Sequence, residues 1–241
     1  MKRNLQTIFI VLMTVCSMPV SAQLANWTIG GSTSFPTNLT GQINGACRIT
    51  QMKFHHSDPS KLYAITAEGG FYTSTDAGNN WTIKSGTENL TGSCASICID
   101  YTNDQVIYLG SGDADYYFNG QGLYKSTDGG NTFTATSLTN CMVDEILQDP
   151  SNPNTFVAET NKGIYKSTDN GVTWVAKTST SIQFCDLKQN AAHSPTLYAC
   201  TYENTSRLFR SFDFGSTWTE ITSGITTSVN FIQKGGRIAV T

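Results

Sequence analysis

The sequence predicts an all-β chain, a β-propeller of four-stranded antiparallel blades, on three observations. One phrase, S-x-D-x-G-x-[TN]-[WF], occurs four times, at residues 74–81, 126–133, 167–174 and 211–218. Its Asp residues, Asp76, Asp128, Asp169 and Asp213, lie 52, 41 and 44 residues apart. A period of that size with one turn per unit signals a repeat architecture. Short runs rich in β-branched and aromatic residues, bounded by Gly, Asn, Asp and Pro, recur at matching offsets in every unit, as strands do.

Residues 1–22 read as a cleavable secretory signal. Met1-Lys2-Arg3 precedes an apolar run over 8–16, and Pro19-Val20-Ser21-Ala22 ends it, with cleavage expected after Ala22. The run is too short to span a bilayer, and no later stretch could cross one. The expected location is therefore secreted or cell surface, with the propeller over 23–241. Cys16 leaves a lipoprotein reading open, although Met13 and Val15 fit a lipobox poorly.

Each unit reads as strand A, strand B, strand C, the repeated turn and strand D. The blades are expected at about 46–84, 93–136, 141–177 and 182–221, with a fifth beginning over 229–241. Asn26-Trp27-Thr28-Ile29 copies Asn80-Trp81-Thr82-Ile83, an outer strand with no A, B or C strand before it. Such a strand completes the last blade of a ring. Four complete blades and part of a fifth leave the ring open, so the expectation is a fragment of a larger propeller, because an open arc has unpaired edges.

Each repeated phrase is a tight turn between strands C and D. The carboxylates of Asp76, Asp128, Asp169 and Asp213 accept backbone N–H groups across it. Gly78, Gly130, Gly171 and Gly215 supply a positive φ. Trp81, Phe133, Trp174 and Trp218 open strand D and bring a ring to the blade. One carboxylate per turn is too few ligands for calcium, so these residues are expected to be structural.

Charged residues make up 14% of the chain and the net charge is −3, with no basic run. Nucleic acid is therefore excluded as an expected partner. After the leader six cysteines remain, at 47, 94, 98, 141, 185 and 200. Cys185 and Cys200 flank a hairpin and form the disulfide candidate; free buried thiols are the alternative. No Cys/His spacing suggests a metal, and no cofactor motif is present. His55, His56 and His193 lie at A–B turns, where solvated turn residues are expected.

At the four phrases the chain resembles the Asp-box, or BNR, repeat. That repeat occurs in sialidases, xyloglucan-cleaving endoglucanases, sortilin-type receptors and a photosystem II assembly factor. More widely the chain resembles exported sortilin- and xyloglucanase-like propellers of the type IX secretion kind, over about residues 26–241. These families share a fold and not an activity. The resemblance implies that the C–D turns lie on one end of the propeller and that ligands meet the B–C loops at the other.

The repeats place Glu68, Asp113, Lys162 and Glu203 at equivalent positions in successive B–C loops, and Arg48 on the same side. The second of these loops is enlarged and holds Asp113, Asp115, Tyr116 and Tyr117. Carboxylates beside rings suit a sugar subsite; they equally suit a packed loop. The ligand-binding candidates are Arg48, Glu68, Asp113, Asp115, Tyr116, Tyr117 and Glu203. Glu68 and Asp113 are the weak catalytic candidates. The xyloglucan-cleaving enzymes carry a catalytic Asp in a T-D-x-G-G setting; here Thr66-Ala67-Glu68-Gly69-Gly70 puts Ala67 at that position. The sequence therefore predicts a non-catalytic module that binds an extracellular glycan or protein, with part of a glycoside hydrolase as the alternative.

Overall fold

The computed structural model describes residues 48–67, 70–84, 93–113, 120–190, 194–202 and 207–222. The leader over 1–22, the Trp27 strand, the start of a fifth blade at 229–241, and residues Cys47, Glu68, Asp115, Tyr116, Tyr117, His193 and Glu203 lie outside them.

The described residues form four antiparallel sheets of four strands each, with no helix among them. Blade 1 consists of β1 (Ile49–Phe54), β2 (Leu62–Thr66), β3 (Gly70–Ser74) and β4 (Thr82–Lys84). Blade 2 consists of β5 (Cys94–Ile99), β6 (Ile107–Ser111), β7 (Gly122–Ser126) and β8 (Thr134–Thr139). Blade 3 holds β9 (Val143–Gln148), β10 (Phe156–Thr160), β11 (Gly163–Ser167) and β12 (Val175–Ala176). Blade 4 holds β13 (Phe184–Gln189), β14 (Leu197–Thr201), β15 (Leu208–Ser211) and β16 (Thr219–Glu220). The strands are joined in sequence order within every blade, the all-β propeller arrangement expected from the repeats. First strands of successive blades touch one another, which puts them on the inner edge of the arc. Second strands are mostly buried, whereas fourth strands are mostly exposed and, except for the six-residue β8, only two or three residues long.

Three apolar cores lie between blades rather than within them. Tyr63, Ile65 and Phe71 of blade 1 meet Cys94 and Ile97 of blade 2. Tyr108 and Leu123 of blade 2 meet Val143 and Ile146 of blade 3. Val157 and Ile164 of blade 3 meet Phe184 and Leu187 of blade 4. A single blade cannot bury both faces of its own sheet, so stacking supplies the core.

The repeated turns do what their residues predict. In blade 4, Asp213 accepts the N–H of Thr217 (2.9 Å) and its hydroxyl (2.6 Å), and Ser211 Oγ accepts the N–H of Gly215 (2.8 Å). Equivalent bonds recur at Asp76, Asp128 and Asp169. Hydrogen bonds from the side chain and backbone of Thr132 and Thr173 hold Asp128 and Asp169 down to about 2. Burial raises Asp213, but the bonds from Thr217 and Ser211 outweigh it and lower it to about 2. The four glycines have φ of 72–87°. The residue before each glycine is also left-handed: Ala77, Gly129, Asn170 and Phe214. The phrase marks that position only as variable, so the sequence conceals that strain.

A second device recurs unseen in the sequence. Ile49 pairs with Thr66, yet Gln51 pairs with Ile65, so Thr50 is an extra residue in β1. The same register step leaves Ala95, Asp144 and Cys185 as bulged residues in β5, β9 and β13. A bulge at one point of each inner strand bends it and re-aims the residues on either side.

His55 departs from expectation. Its side chain is only 8% exposed and its Nε2 lies 3.6 Å from the Asp104 carboxylate. Its Nδ1 accepts the N–H groups of Ser57 and Asp58. Asp104 belongs to the neighbouring blade, a partner that spacing along the chain does not expose. His56 is exposed.

Candidate functional site

The end of the propeller opposite the repeated turns carries the B–C loops. Register confirms that Asp113 and Lys162 occupy equivalent places, two residues beyond Ser111 and Thr160 at the ends of β6 and β10. Arg48 immediately precedes β1, and Asp113 follows β6 of the next blade. Arg48 Nη2 donates to both Asp113 carboxylate oxygens at 2.6 Å. The Arg side chain is 43% exposed and Asp113 only 4%, so the rim presents the cationic partner. Lys162 Nζ donates to the Asn140 carbonyl at 2.5 Å. Of the predicted ligand residues, Arg48 and Asp113 are brought together.

Ala67 is 5% exposed, and its N–H is bonded to the Arg48 carbonyl at 2.9 Å. The position that carries an acid in a T-D-x-G-G setting is thus a packed methyl group beside the ion pair.

Deeper on the inner edge lies a polar network that sequence reasoning missed. Glu145 of β9 accepts Lys53 Nζ at 3.1 Å, Lys188 Nζ at 3.5 Å, and Gln51 Nε2 at 3.1 and 3.2 Å. Lys53 and Gln51 come from blade 1 and Lys188 from blade 4, so one carboxylate ties three blades. Lys188 also pairs with Asp186 at 2.7 Å. The Gln51 side-chain oxygen accepts the Ile97 N–H at 2.7 Å. The available signal was register: Gln51, Ser96, Glu145 and Asp186 each follow the bulged residue of a first strand.

Glu159 stands opposite Glu145 on β10. It is fully buried, and neither carboxyl oxygen has a hydrogen-bond partner among the described residues. Burial, then the charges of Asp144, Asp186 and Glu145, push its pKa well above the ordinary Glu value. Burial of this kind favours the neutral acid over the carboxylate. Beside it in blade 4, the Cys185 and Cys200 sulfurs lie 3.6 Å apart. The bulge brings them together: Cys200 pairs with Asp186, and Cys185 is the extra residue next to it. Cys94 and Cys141 are pushed up to about 11 and Cys98 to about 12, chiefly by burial. No group of His, Cys, Asp and Glu able to hold a metal occurs among the described residues.

Neither a protein-family model nor a curated protein sequence matches the chain. Solved structures do. An ancestral GH74 enzyme superposes with a TM-score of 0.61 at 24% identity, covering 74% of this chain and 26% of that one. The GH74 enzyme of Niastella koreensis gives 0.61 at 23% identity, covering 76% of this chain and 31% of that one. YCF48 bound to D1 peptide gives 0.52 at 17% identity, covering 72% and 53% respectively. The chain thus spans only 26–31% of the length of these two GH74 enzymes. At such identities the likeness shows the fold, a β-propeller, and leaves activity to the residues of the site.

Proposed function

We propose that this chain is an exported Asp-box propeller module that binds an extracellular glycan or protein through its B–C loop end, without hydrolysing it. The observation that carries this reading is the state of the acids on that end. The T-D-x-G-G position is the buried Ala67, and Asp113 is held by Arg48 at 2.6 Å. Glycoside hydrolysis needs two carboxyl groups about 5–10 Å apart across the scissile bond. The one described acid with a strongly raised pKa, Glu159, is sealed at 0% exposure and offers no surface to a sugar. The partly exposed Arg48 guanidinium, paired with Asp113, presents its positive charge on that end, which suits a carboxylate, a sugar hydroxyl or a peptide carbonyl. Tyr116 and Tyr117 follow Asp113 by three and four residues in the sequence, and residues of that type suit apolar sugar faces or side chains. A peptide complex of a propeller of similar fold supports the protein partner, and the leader over 1–22 supports export.

The test is a glycan and peptide array run beside a polysaccharide-hydrolysis screen. Binding weakened by Arg48→Ala, with no hydrolysis, is the expected outcome. Hydrolysis abolished by Asp113→Ala overturns it in favour of the glycoside hydrolase alternative.

A further inference from the structure

Among the described residues, only blade 4 places two thiols at its bulge. In a regular strand successive side chains alternate between faces, whereas a bulge sets two residues opposite one. In β13 and β14 those are Cys185 and Asp186 opposite Cys200. At the same places blades 1, 2 and 3 carry Thr50 with Ile65, Ala95 with Gly110, and Asp144 with Glu159. The local contact is shared. Thr50 Oγ1 donates to the Ile65 carbonyl at 3.2 Å, and Cys185 Sγ lies 3.6 Å from the Cys200 carbonyl. Cys185 Sγ is also 3.6 Å from Cys200 Sγ. A disulfide holds its sulfurs about 2 Å apart, so closing one asks for a shift of about 1.5 Å and no change of strand pairing.

The two sulfurs are not equivalent. Asp186 pairs with Cys200 and Lys188 with Tyr198, so Lys188 stands diagonal to Cys200 on one face of the hairpin. Asp186 holds the Lys188 ammonium there at 2.7 Å. A cation so placed favours a thiolate. The hydrogen bond from Cys185 lowers the pKa of Cys200, against burial and the charge of Asp186, and Lys188 adds to that lowering. The same bond, then burial and the charges of Cys200, Glu159 and Asp186, push Cys185 up. Both thiols are half-buried, whereas Cys94, Cys98 and Cys141 are buried.

We propose that Cys185 and Cys200 form a thiol–disulfide exchange site for low-molecular-weight disulfides, with Cys200 as the attacking sulfur and Cys185 as the resolving one. The Cys200 thiolate attacks one sulfur of the incoming disulfide, forms a mixed disulfide and expels a thiolate, which takes up the proton that Cys200 gave to solvent. Cys185 then attacks the Cys200 sulfur across the 3.6 Å gap, closes the internal disulfide and expels the second thiolate, which leaves with the Cys185 proton. Two protein thiols are oxidised and one small disulfide is reduced to two thiols, so excess thiol runs the exchange backward. The bridge joins the bulged residue of β13 to β14, next to the Asp186 that holds Lys188 beside Glu145. The redox state thereby fixes the strand that supplies Lys188 to the inner-edge network. This inference is independent of what the B–C loop end binds.

Oxidised glutathione is the probe, added to the folded full chain and followed by peptide mapping without reductant. The parent should end with Cys185 joined to Cys200 and glutathione on neither. Cys185→Ser removes the resolving sulfur but keeps a donor hydroxyl, and should hold one glutathione on Cys200. Cys200→Ser should load Cys185 about tenfold more slowly, because the remaining thiol lies among acids. The parent also gives a readout that needs no variant: brief treatment with iodoacetamide should alkylate Cys200 before Cys185. Should a variant lose its strand signal in circular dichroism, that order of alkylation decides. Equal loading of the two variants, glutathione that stays on the parent, Cys185 alkylated first, or no reaction at either sulfur overturns the proposal.

Discussion

Replacing Glu159 by Met should stabilise the protein at neutral pH, and the gain should vanish in acid. Glu159 is 0% exposed, has no hydrogen-bond partner among the described residues, and faces the charges of Asp144, Asp186 and Glu145. Its folded pKa is raised above the unfolded value. The folded state then binds more protons than the unfolded state between the two, so stability falls as pH rises through that window. The loss is about 1.4 kcal/mol for each pH unit above an ordinary Glu near 4.3, up to the group's own pKa. Between pH 4.3 and 7 that reaches an upper bound of about 3–4 kcal/mol. Met has similar volume and no polar group to desolvate, and exchanging buried ionisable groups for apolar ones stabilises by about 1–4 kcal/mol. Urea unfolding at pH 5, 6 and 7 should show the variant ahead by about 2 kcal/mol or more at pH 7. Its pH slope should be flatter by close to one proton's worth, and the gap between the two proteins should narrow steadily as pH falls toward about 4. A variant less stable at pH 7, or one with the parent's slope, would refute the reasoning, because it would mean that Glu159 is ionised and held by a partner.

The remaining predictions concern the clamps and the thiols. Lys166→Met should cost about 2–3 kcal/mol in denaturant unfolding, since it removes the charged donor from the buried Phe214 carbonyl at the blade 3–4 interface. Asp213→Asn should cost about 1 kcal/mol after allowance for solvent screening. The folded pKa of Asp213 is lowered to about 2, so its contribution is present above the ordinary Asp value and lost as pH falls toward 2; the parent and variant melting curves should converge there. Exposure to oxidised glutathione should link Cys185 to Cys200 by thiol–disulfide exchange. Two thiols give up two hydrogens as each glutathione disulfide becomes two reduced glutathiones. Peptide mass mapping should find that crosslink and leave Cys94, Cys98 and Cys141 as thiols; a crosslink involving these three instead would contradict the geometry.

Much of the architecture was legible because its signals are local. A turn such as Ser211 to Thr217 is closed by bonds within seven residues, so the residue types announce it. The spacing of such turns also aligns the strands, and Asp113 and Lys162 stand two residues beyond the equivalent strand ends Ser111 and Thr160. The inner-strand bulges were not legible, because a one-residue slip leaves no mark in composition. Without the bulge, the meeting of Cys185 with Cys200 and the position of Glu145 could be guessed only roughly. The burial of His55 depended on Asp104 from another blade, and the pairing of Arg48 with Asp113 joins residues 65 apart.

The sequence by itself determined the repeat, the all-β class and the turn chemistry. Those features depend on contacts within one blade, between residues near in sequence. Only the tertiary structure decided which charges meet, which acid is sealed from water and which apolar side chains are covered. Each of those outcomes is made between blades. Stacking brings Lys53, Glu145 and Lys188 from three blades to one point, and it sets the burial that governs Glu159.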